Sequence, residues 1–187
     1  MTADTTQQLV ICGVGGQGVL LVTRLLAEAA MKNGYSVFTS ETHGMAQRGG
    51  IVVSHLKVGE FYSPMIRVGQ AGGLIALKDE TLIPYLPFLA PKGWAVVNQG
   101  NSALPDGEKR ILKHMDADGI ALSAGYPRST NLVMLGLALA VMEKQAMVTE
   151  MFSVASIRQV MKTRLREKPK MLAQALSALS AGYEAHG

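Results

Sequence analysis

The chain has 187 residues, of which 48% are hydrophobic and 17% are charged. These proportions exclude wholesale disorder, and the length predicts one domain spanning residues 1–187 with a sizeable buried core. The single cysteine, Cys12, excludes an internal disulfide framework, and one thiolate cannot hold a [4Fe–4S] cluster, which needs about four. Because no apolar run reaches the roughly 18 residues of a membrane span and the N-terminal residues carry no basic side chain, we expect a cytoplasmic protein without a membrane partner.

The net charge is +4, from 18 basic and 14 acidic residues, and the excess lies in one segment. Residues 158–170 carry six basic side chains and a single acidic one, Glu167. A run of this kind is typical of a solvated helix face, although docking onto an acidic partner or attracting a phosphate-bearing ligand would use the same charges. Only 5% of the residues are aromatic, so few side chains could stack on bases and we expect no nucleic-acid binding.

The first forty residues predict a strand, a helix and a second strand. Residues 9–12 are a short apolar run that enters a group of glycines, as a buried strand does. Apolar side chains then recur at helical spacing over 19–30 and stop near Asn33 and Gly34, a standard helix end. Residues 35–40 alternate as in a strand. We therefore expect a βαβ unit, whose crossover is nearly always right-handed.

The rest of the chain predicts further strands and then a helical tail. The predicted strands are 51–58, 61–63 after a hairpin turn at 59–60, 74–77, 94–97 and 111–112. The predicted helices are 80–89 (interrupted by Pro84 and Pro87), 116–123, 131–144, 154–166 and 170–183, with a loop at 98–108 and a break at Lys168-Pro169. This order indicates a three-layer α/β/α, Rossmann-like domain with a helical C-terminal third.

The first motif with chemical content matches G-x-G-x-x-G between a predicted strand and a predicted helix. Glycines there permit positive φ angles and let a pyrophosphate approach bare backbone at a helix N-terminus. Glu41 follows the last of these glycines by 23 residues, roughly where an acidic ribose-binding residue would lie. The candidate ligand-binding residues of this motif are Gly13, Gly15, Gly16, Gln17 and Gly18.

The second motif, residues 40–50, follows a predicted strand, so we expect it at a carboxyl edge of the parallel sheet, where ligands bind in open α/β folds. Arg48 is suited to a bidentate grip on a carboxylate or phosphate. His43 could serve as an acid–base group or a hydrogen-bond donor. Gly49 and Gly50 let the backbone turn sharply or approach a ligand. These four residues are therefore candidate site residues.

Structural explanations stay open for both motifs. A tight strand–helix turn that needs small residues for packing explains 13–18, and Gln17 could equally contact a partner. An ion pair between Glu41 and Arg48 could simply order the second motif. From the residues alone, the chain is a ligand- or partner-binding α/β domain without an assigned catalytic step.

Several other kinds of site are not predicted. The four histidines (His43, His55, His114 and His186) lack metal-ligand spacing, so we expect no metal site. The sequence contains no G-x-S-x-G nucleophile elbow and no Walker A motif. Cys12 lies inside a hydrophobic strand, where cysteine is typically a small core residue.

The two motifs together resemble the gamma-type subunits of 2-oxoacid:ferredoxin oxidoreductases. Gly-x-Gly-Gly-Gln-Gly at 13–18 is shared by gamma-type subunits in general. His-Gly-Met-Ala-Gln-Arg-Gly-Gly at 43–50 is most similar to the beta subunit of indolepyruvate ferredoxin oxidoreductases. The similarity covers nearly the whole chain, with further matching segments at 62–64, 131–136 and 168–182. It departs from the usual pattern at 72–78, where relatives carry acidic residues before and after the strand.

The resemblance implies the fold of domain III of pyruvate:ferredoxin oxidoreductase, as a single gamma-type catalytic domain over 1–187. It implies a complex that decarboxylates a 2-oxoacid, here indolepyruvate or another aryl pyruvate, to an acyl-CoA and passes electrons to ferredoxin. Such a complex uses thiamine diphosphate with magnesium, [4Fe–4S] clusters and coenzyme A. This chain lacks the cysteines and the G-D-G…N-N thiamine motif. A larger companion subunit would carry these cofactors, this chain would be inactive alone, and His43 and Arg48 would belong to a shared active site.

Alternatives remain at this level. The same type of complex could act on pyruvate, 2-oxoglutarate or a branched 2-oxoacid. A stand-alone Rossmann-like reductase that binds NAD or a flavin would use G-x-G-x-x-G and Glu41. A pure scaffold would use the glycine loops only to pack against a neighbour.

Overall fold

The computed structural model describes residues 6–43, 50–100, 110–145 and 151–185, which form an α/β domain around a six-stranded sheet of order β2-β3-β1-β4-β5-β6. The strands are β1 (Gln7–Val14), β2 (Val37–His43), β3 (Ile51–Val58), β4 (Ala71–Ala76), β5 (Leu89–Asn98) and β6 (Ile111–Met115). The α-helices are α1 (Val19–Lys32), α2 (Leu82–Tyr85), α3 (Ala117–Ser123), α4 (Thr130–Lys144), α5 (Val154–Arg164) and α6 (Pro169–Glu184). Short 3₁₀ turns lie at Asp79–Thr81, Leu86–Phe88 and Pro127–Ser129.

The strand pairing corrects the expected parallel sheet. β3 lies between β1 and β2 and runs antiparallel to both, so β1 and β2 point the same way without being neighbours. The physical reason is the short connection from β2 to β3, because reversing the chain takes few residues whereas a parallel crossover needs about a dozen or more. The pairs β1–β4, β4–β5 and β5–β6 are parallel. The sheet is therefore mixed.

The hairpin expected after β3 is wrong. Gly59 does turn the chain, with φ of 107°, but residues 61–63 form no strand. Pro64 follows directly and has no N–H to give to a ladder. The chain instead folds back over the sheet, where the buried N–H of Ile66 donates to Nδ1 of His55 at 3.3 Å.

Two hydrophobic cores lie on the two faces of the sheet, because successive side chains of a strand point to opposite faces. Leu9 and Ile11 of β1 belong to the core that includes residues of α1, α4, α5 and α6. Val10 and Cys12 belong to the second core, with the short turns of 79–88. Prolines divide that segment into short pieces, as predicted. The three-layer arrangement is confirmed, with one layer much thinner than the other.

The helical C-terminal third is also confirmed. α5 ends at Arg164, and α6 begins at Pro169, whose missing N–H costs nothing in a first helical turn. α4 packs against α6 through two glycines. A Cβ on Gly136 would collide with the Leu179 carbonyl, and one on Gly182 would collide with the Val133 carbonyl. No helix of the described ranges is both long and apolar enough to cross a membrane.

Candidate functional site

The two glycine motifs meet at one edge of the sheet. The N–H of Gly15, in the loop after β1, donates to the carbonyl oxygen of Gly50 at 2.9 Å. Gly50 immediately precedes β3, whose first residue Ile51 pairs with Val14 at the end of β1. The carboxyl ends of β1, β2 and β4 lie at this same edge, where open α/β folds bind ligands.

The glycine loop is closed by the side chain of Gln17. Its Oε1 accepts from the N–H of Val14 at 2.8 Å, and its Nε2 donates to the carbonyl of Leu77 at 3.3 Å. Gly13 must be small here, because a Cβ would lie 2.9 Å from Gln17 Oε1 and 3.1 Å from the Leu77 Cβ. Gln17 therefore ties the loop to the end of β4, and both ends of its amide are used within the chain.

The side chain of Asn131 lies against the N-terminus of α1. Gly18 is the N-cap residue, with φ of 84°, and a Cβ there would collide with the amide of Asn131 on α4. Gly16 differs, because it has φ of 92° and no atom of the described residues lies within 4 Å of its Cβ position. Gly13 and Gly18 thus serve packing inside the chain, whereas Gly15 and Gly16 are exposed.

A chain of hydrogen bonds continues from the loop along the sheet edge. Nδ2 of Asn98, at the end of β5, donates to the Leu77 carbonyl (3.2 Å) and to Asp118 Oδ2 (3.1 Å). Oδ1 of Asn98 accepts from the N–H of Ala117 at 3.0 Å. The hydroxyl of Thr130 donates to Asp118 Oδ1 at 2.7 Å. These hydrogen bonds connect the glycine loop to β4, β5, α3 and the start of α4.

A cavity of about 470 Å³ opens beside this network, within the size range of small-molecule sites. Arg128 is exposed at its rim and Asp118 lines another side, so the cavity presents both signs of charge. Among the described residues, the lining consists of Gly16, Gln17, Leu77, Asp118, Pro127, Arg128, Thr130 and Asn131. An exposed guanidinium is suited to the carboxylate or phosphate of a ligand.

Sequence reasoning did not single out Asp118, Arg128 or Thr130, and Asn131 entered only as part of a matching segment. The position of Asp118 in the sequence could have identified it as a site residue. It follows β6 within α3, and residues just past the carboxyl ends of parallel strands line the clefts of such folds.

The other predicted site residues are only partly placed. His43 ends β2 at the same edge. Arg48 and Gly49 lie outside the described residues. The suggested ion pair between Glu41 and Arg48 therefore stays a prediction. Glu41 lies on β2, which β3 separates from β1, so it is one strand further from the glycine loop than a ribose-binding acid in a dinucleotide fold.

The titratable groups inside the sheet do not fit a metal or a nucleophilic site. Burial raises the pKa of the Cys12 thiol to about 12, and the thiol donates to the Thr81 carbonyl at 3.4 Å. Burial, with the nearby Lys57 charge, lowers the pKa of His55. Within the described part of the chain, no three His, Cys, Asp or Glu side chains are grouped so that they could hold a metal ion. Cys12 and His55 are core residues.

Comparisons with known proteins agree with this architecture. The gamma subunit of a keto/oxoacid ferredoxin oxidoreductase from Geobacter sulfurreducens shares the fold, with a TM-score of 0.76 and 21% identity over 96% of this chain and 98% of that one. Indolepyruvate oxidoreductase subunit IorB of Archaeoglobus fulgidus is 31% identical over 94% of this chain and 92% of its own length.

A third relative shows the same domain within a longer polypeptide. Ketoisovalerate oxidoreductase subunit VorA of Methanothermobacter thermautotrophicus is 30% identical over 93% of this chain but only 35% of its own length. The sequence also matches the family described as pyruvate ferredoxin/flavodoxin oxidoreductase over residues 8–185. The chain belongs to that pyruvate ferredoxin/flavodoxin oxidoreductase family.

Proposed function

We propose that this chain is the small subunit of an indolepyruvate:ferredoxin oxidoreductase. The complex would oxidatively decarboxylate indolepyruvate or another aryl pyruvate to the acyl-CoA and pass the electrons to ferredoxin. The observation that carries the proposal is the 31% identity to an indolepyruvate oxidoreductase subunit over 94% of this chain and 92% of the relative. A match over nearly both whole lengths favours an equivalent subunit rather than a shared module.

The cofactors would reside on a larger partner subunit. The one cysteine of this chain is buried, and its raised pKa disfavours the thiolate that ligates iron. Thiamine diphosphate with magnesium would supply the decarboxylation chemistry, and [4Fe–4S] clusters would supply the path for electrons. This chain, inactive alone, would contribute side chains and backbone to the edge of a shared active site.

The edge formed by the two glycine motifs is the part that would face that site. The Gly15–Gly50 hydrogen bond supports this, because it holds the first motif beside Gly50, the last residue of the second motif. Arg48 would grip the carboxylate of the 2-oxoacid or a phosphate of coenzyme A. The cavity beside Gly16 would shape the same entrance.

The stand-alone nucleotide-binding reductase is less well supported. The amide of Asn131 lies against Gly18, where a pyrophosphate would need bare backbone. Glu41 is displaced by the intervening strand β3. Calorimetry with NAD, NADP, FAD and FMN tests this reading, and heat of binding at micromolar ligand would revive it.

The decisive experiment is co-expression with the larger subunit from the same source. We expect a stable complex that reduces ferredoxin with indolepyruvate and coenzyme A, with a kcat/KM at least about tenfold above that for pyruvate, 2-oxoglutarate or ketoisovalerate. In the assembled complex, Arg48→Ala should lower kcat/KM while the control Arg166→Ala, on an exposed side chain, should not. Turnover of a 2-oxoacid by the isolated chain would overturn the proposal.

A further inference from the structure

The N-terminal ends of two helices, α1 and α4, border the cavity beside the glycine loop. Gly16 and Gln17, just before α1, line it, and so do Thr130 and Asn131, the first residues of α4. Neither helix has an acidic residue in its first turn or a side-chain hydrogen bond at its N-cap. The partial positive charge of each N-terminus is therefore not neutralised within its own helix, and an anion in the cavity would be stabilised by both.

The buried amide of Asn131 points to an occupant of this cavity. The residue is only 8% exposed, and among the described residues no hydrogen bond joins its side chain to another group. Its Nδ2 lies against Gly18, at the N-terminus of α1. The first N–H groups of that helix with a partner in it are those of Leu21 and Val22, which both donate to the Gly18 carbonyl. Donors of the amide and of the first turn thus lie side by side, and a buried donor ordinarily has an acceptor.

Arg128 adds a full positive charge at the rim of the cavity. Its side chain is exposed, and no described carboxylate forms an ion pair with it. Asp118 also lines the cavity, but its Oδ2 accepts from Asn98 Nδ2 at 3.1 Å and its Oδ1 accepts from the Thr130 hydroxyl at 2.7 Å. The guanidinium of Arg128 is thus available for a bidentate pair with an oxyanion from outside the chain.

The groups that line the cavity determine which ligand fits. The three oxygens of a phosphate group can accept from Asn131, from the backbone at Gly16 and from Arg128 at the same time, whereas a carboxylate has two oxygens. The Asp118 carboxylate would repel a second anion beside it but can accept from a hydroxyl group. A volume of about 470 Å³ also leaves room for more than one phosphate group.

We propose that this cavity binds a phosphate ester that carries hydroxyl groups. The phosphate would lie at the open side of Gly16, between the Asn131 amide and the Arg128 guanidinium, and a hydroxyl of the ester would donate to Asp118. A pyrophosphate fits less well, because Asn131 covers the backbone at Gly18 along which it would lie. The proposal goes beyond the proposed function, which assigns no ligand to this cavity, and it rests on residues of this chain alone.

The test uses the purified full-length chain and two probes, inorganic phosphate and ribose 5-phosphate. Amide NMR spectra follow each titration, with sodium chloride at equal ionic strength as the blank. Both probes should shift the amide signals of Gly16 and Asn131 and leave that of Ser177, exposed on α6, unchanged. Ribose 5-phosphate should bind about tenfold more tightly, because the hydroxyl bond to Asp118 adds to the phosphate contacts.

Two substitutions test the phosphate contacts. Arg128→Ala should weaken the binding of inorganic phosphate about tenfold, whereas the matched control Arg166→Ala, also at an exposed arginine, should change it by less than about twofold. Asn131→Asp places a carboxylate beside the N-terminus of α1, where it accepts from the helix itself and repels phosphate. Binding should be lost without a fall in Tm. A lower Tm with unchanged binding would show that the amide is only structural.

Asp118→Asn tests the ester part of the proposal. It should leave the affinity for inorganic phosphate unchanged or higher, because a negative charge is removed, and it should abolish the advantage of ribose 5-phosphate. Equal affinities of the two probes for the wild type would overturn the assignment of an ester. If neither probe shifts Gly16 or Asn131, the proposal fails as a whole. The proposed function would then still stand, because it is tested by assembly and turnover of the complex.

Discussion

The backbone of Gly15 holds the backbone of Gly50, through an N–H to carbonyl hydrogen bond of 2.9 Å. The two residues come from motifs that are far apart in the sequence, and they become neighbours because β3 inserts antiparallel between β1 and β2. The first glycine loop and the start of β3 are thus one structural unit. A change that displaces the loop should also displace the second motif.

Gln17 provides the first test of that unit. Gln17→Ala removes the acceptor for the Val14 N–H and the donor to the Leu77 carbonyl. We expect the free energy of unfolding to fall by about 1–3 kcal/mol, because a partly buried N–H loses its partner. Urea unfolding measures the change. Gln70→Ala, at an exposed glutamine, is the matched control and should change stability by less than about 0.5 kcal/mol. Equal effects of the two substitutions would show that the Gln17 amide is not structural.

The bond between Asn98 and Asp118 provides a second test, suited to a double-mutant cycle. Asn98→Ala should destabilise the chain by about 2–3 kcal/mol, because the buried amide serves the Leu77 carbonyl, Asp118 and the Ala117 N–H. Asp118→Ala should be non-additive with it, with a coupling of about 0.5–3 kcal/mol in urea unfolding. Thr163→Ala, far along the chain on α5, should add simply to Asn98→Ala. Additivity of the first pair would contradict the network.

The close packing of α4 on α6 predicts a strong effect at a small residue. Gly136→Ala places a methyl group against the Leu179 carbonyl, so we expect a loss of at least about 1–3 kcal/mol despite the higher helix propensity of alanine. Ser177→Ala, on the exposed side of α6, should be neutral or slightly stabilising. Thermal and urea unfolding of the two variants provide the comparison. A stabilised Gly136→Ala variant would show that the helices are further apart.

The ion pair of Arg164 and Glu28 predicts a pH dependence of stability. Hydrogen bonds from Arg164 Nε to the carboxylate oxygens, at 2.9 and 3.0 Å, lower the pKa of Glu28. The pair is part-exposed, so it should contribute at most about 1 kcal/mol. Because the folded pKa lies below the unfolded one, this contribution is present above the ordinary glutamate pKa of about 4.3 and is lost as the pH falls through the folded value.

The substitution Glu28→Gln tests the sign of this pH dependence of stability. The variant should be less stable than the wild type by roughly 0.5–1 kcal/mol at pH 7, and the difference should shrink in urea unfolding as the pH falls below about 4. Glu80→Gln removes a more exposed pair with Lys78 and should have a smaller effect at pH 7. A difference for Glu28→Gln that grows on acidification would contradict the assignment.

Much of the secondary structure follows from local patterns. The apolar runs of β1, β4 and β5 and the helical spacing of α1, α4 and α6 predicted those elements, because a buried strand and an amphipathic helix each impose a period on the sequence. The hairpin at 61–63 was wrong because a local turn signal at Gly59 carries no information on whether a free strand edge is available. Instead of pairing as a strand, the chain after Gly59 packs against the face of β3.

Local sequence patterns were enough to predict the α/β class and to find the two glycine motifs and the single cysteine, and through these the resemblance to the family. The position of β3 between β1 and β2, the Asn131 side chain beside Gly18 and the place of Asp118 in the site became visible only in the folded chain. Periodicity is a property of neighbouring residues along the chain. Strand order and side-chain contacts depend on which distant segments exclude water from each other most completely, and that competition is settled only when the whole core packs.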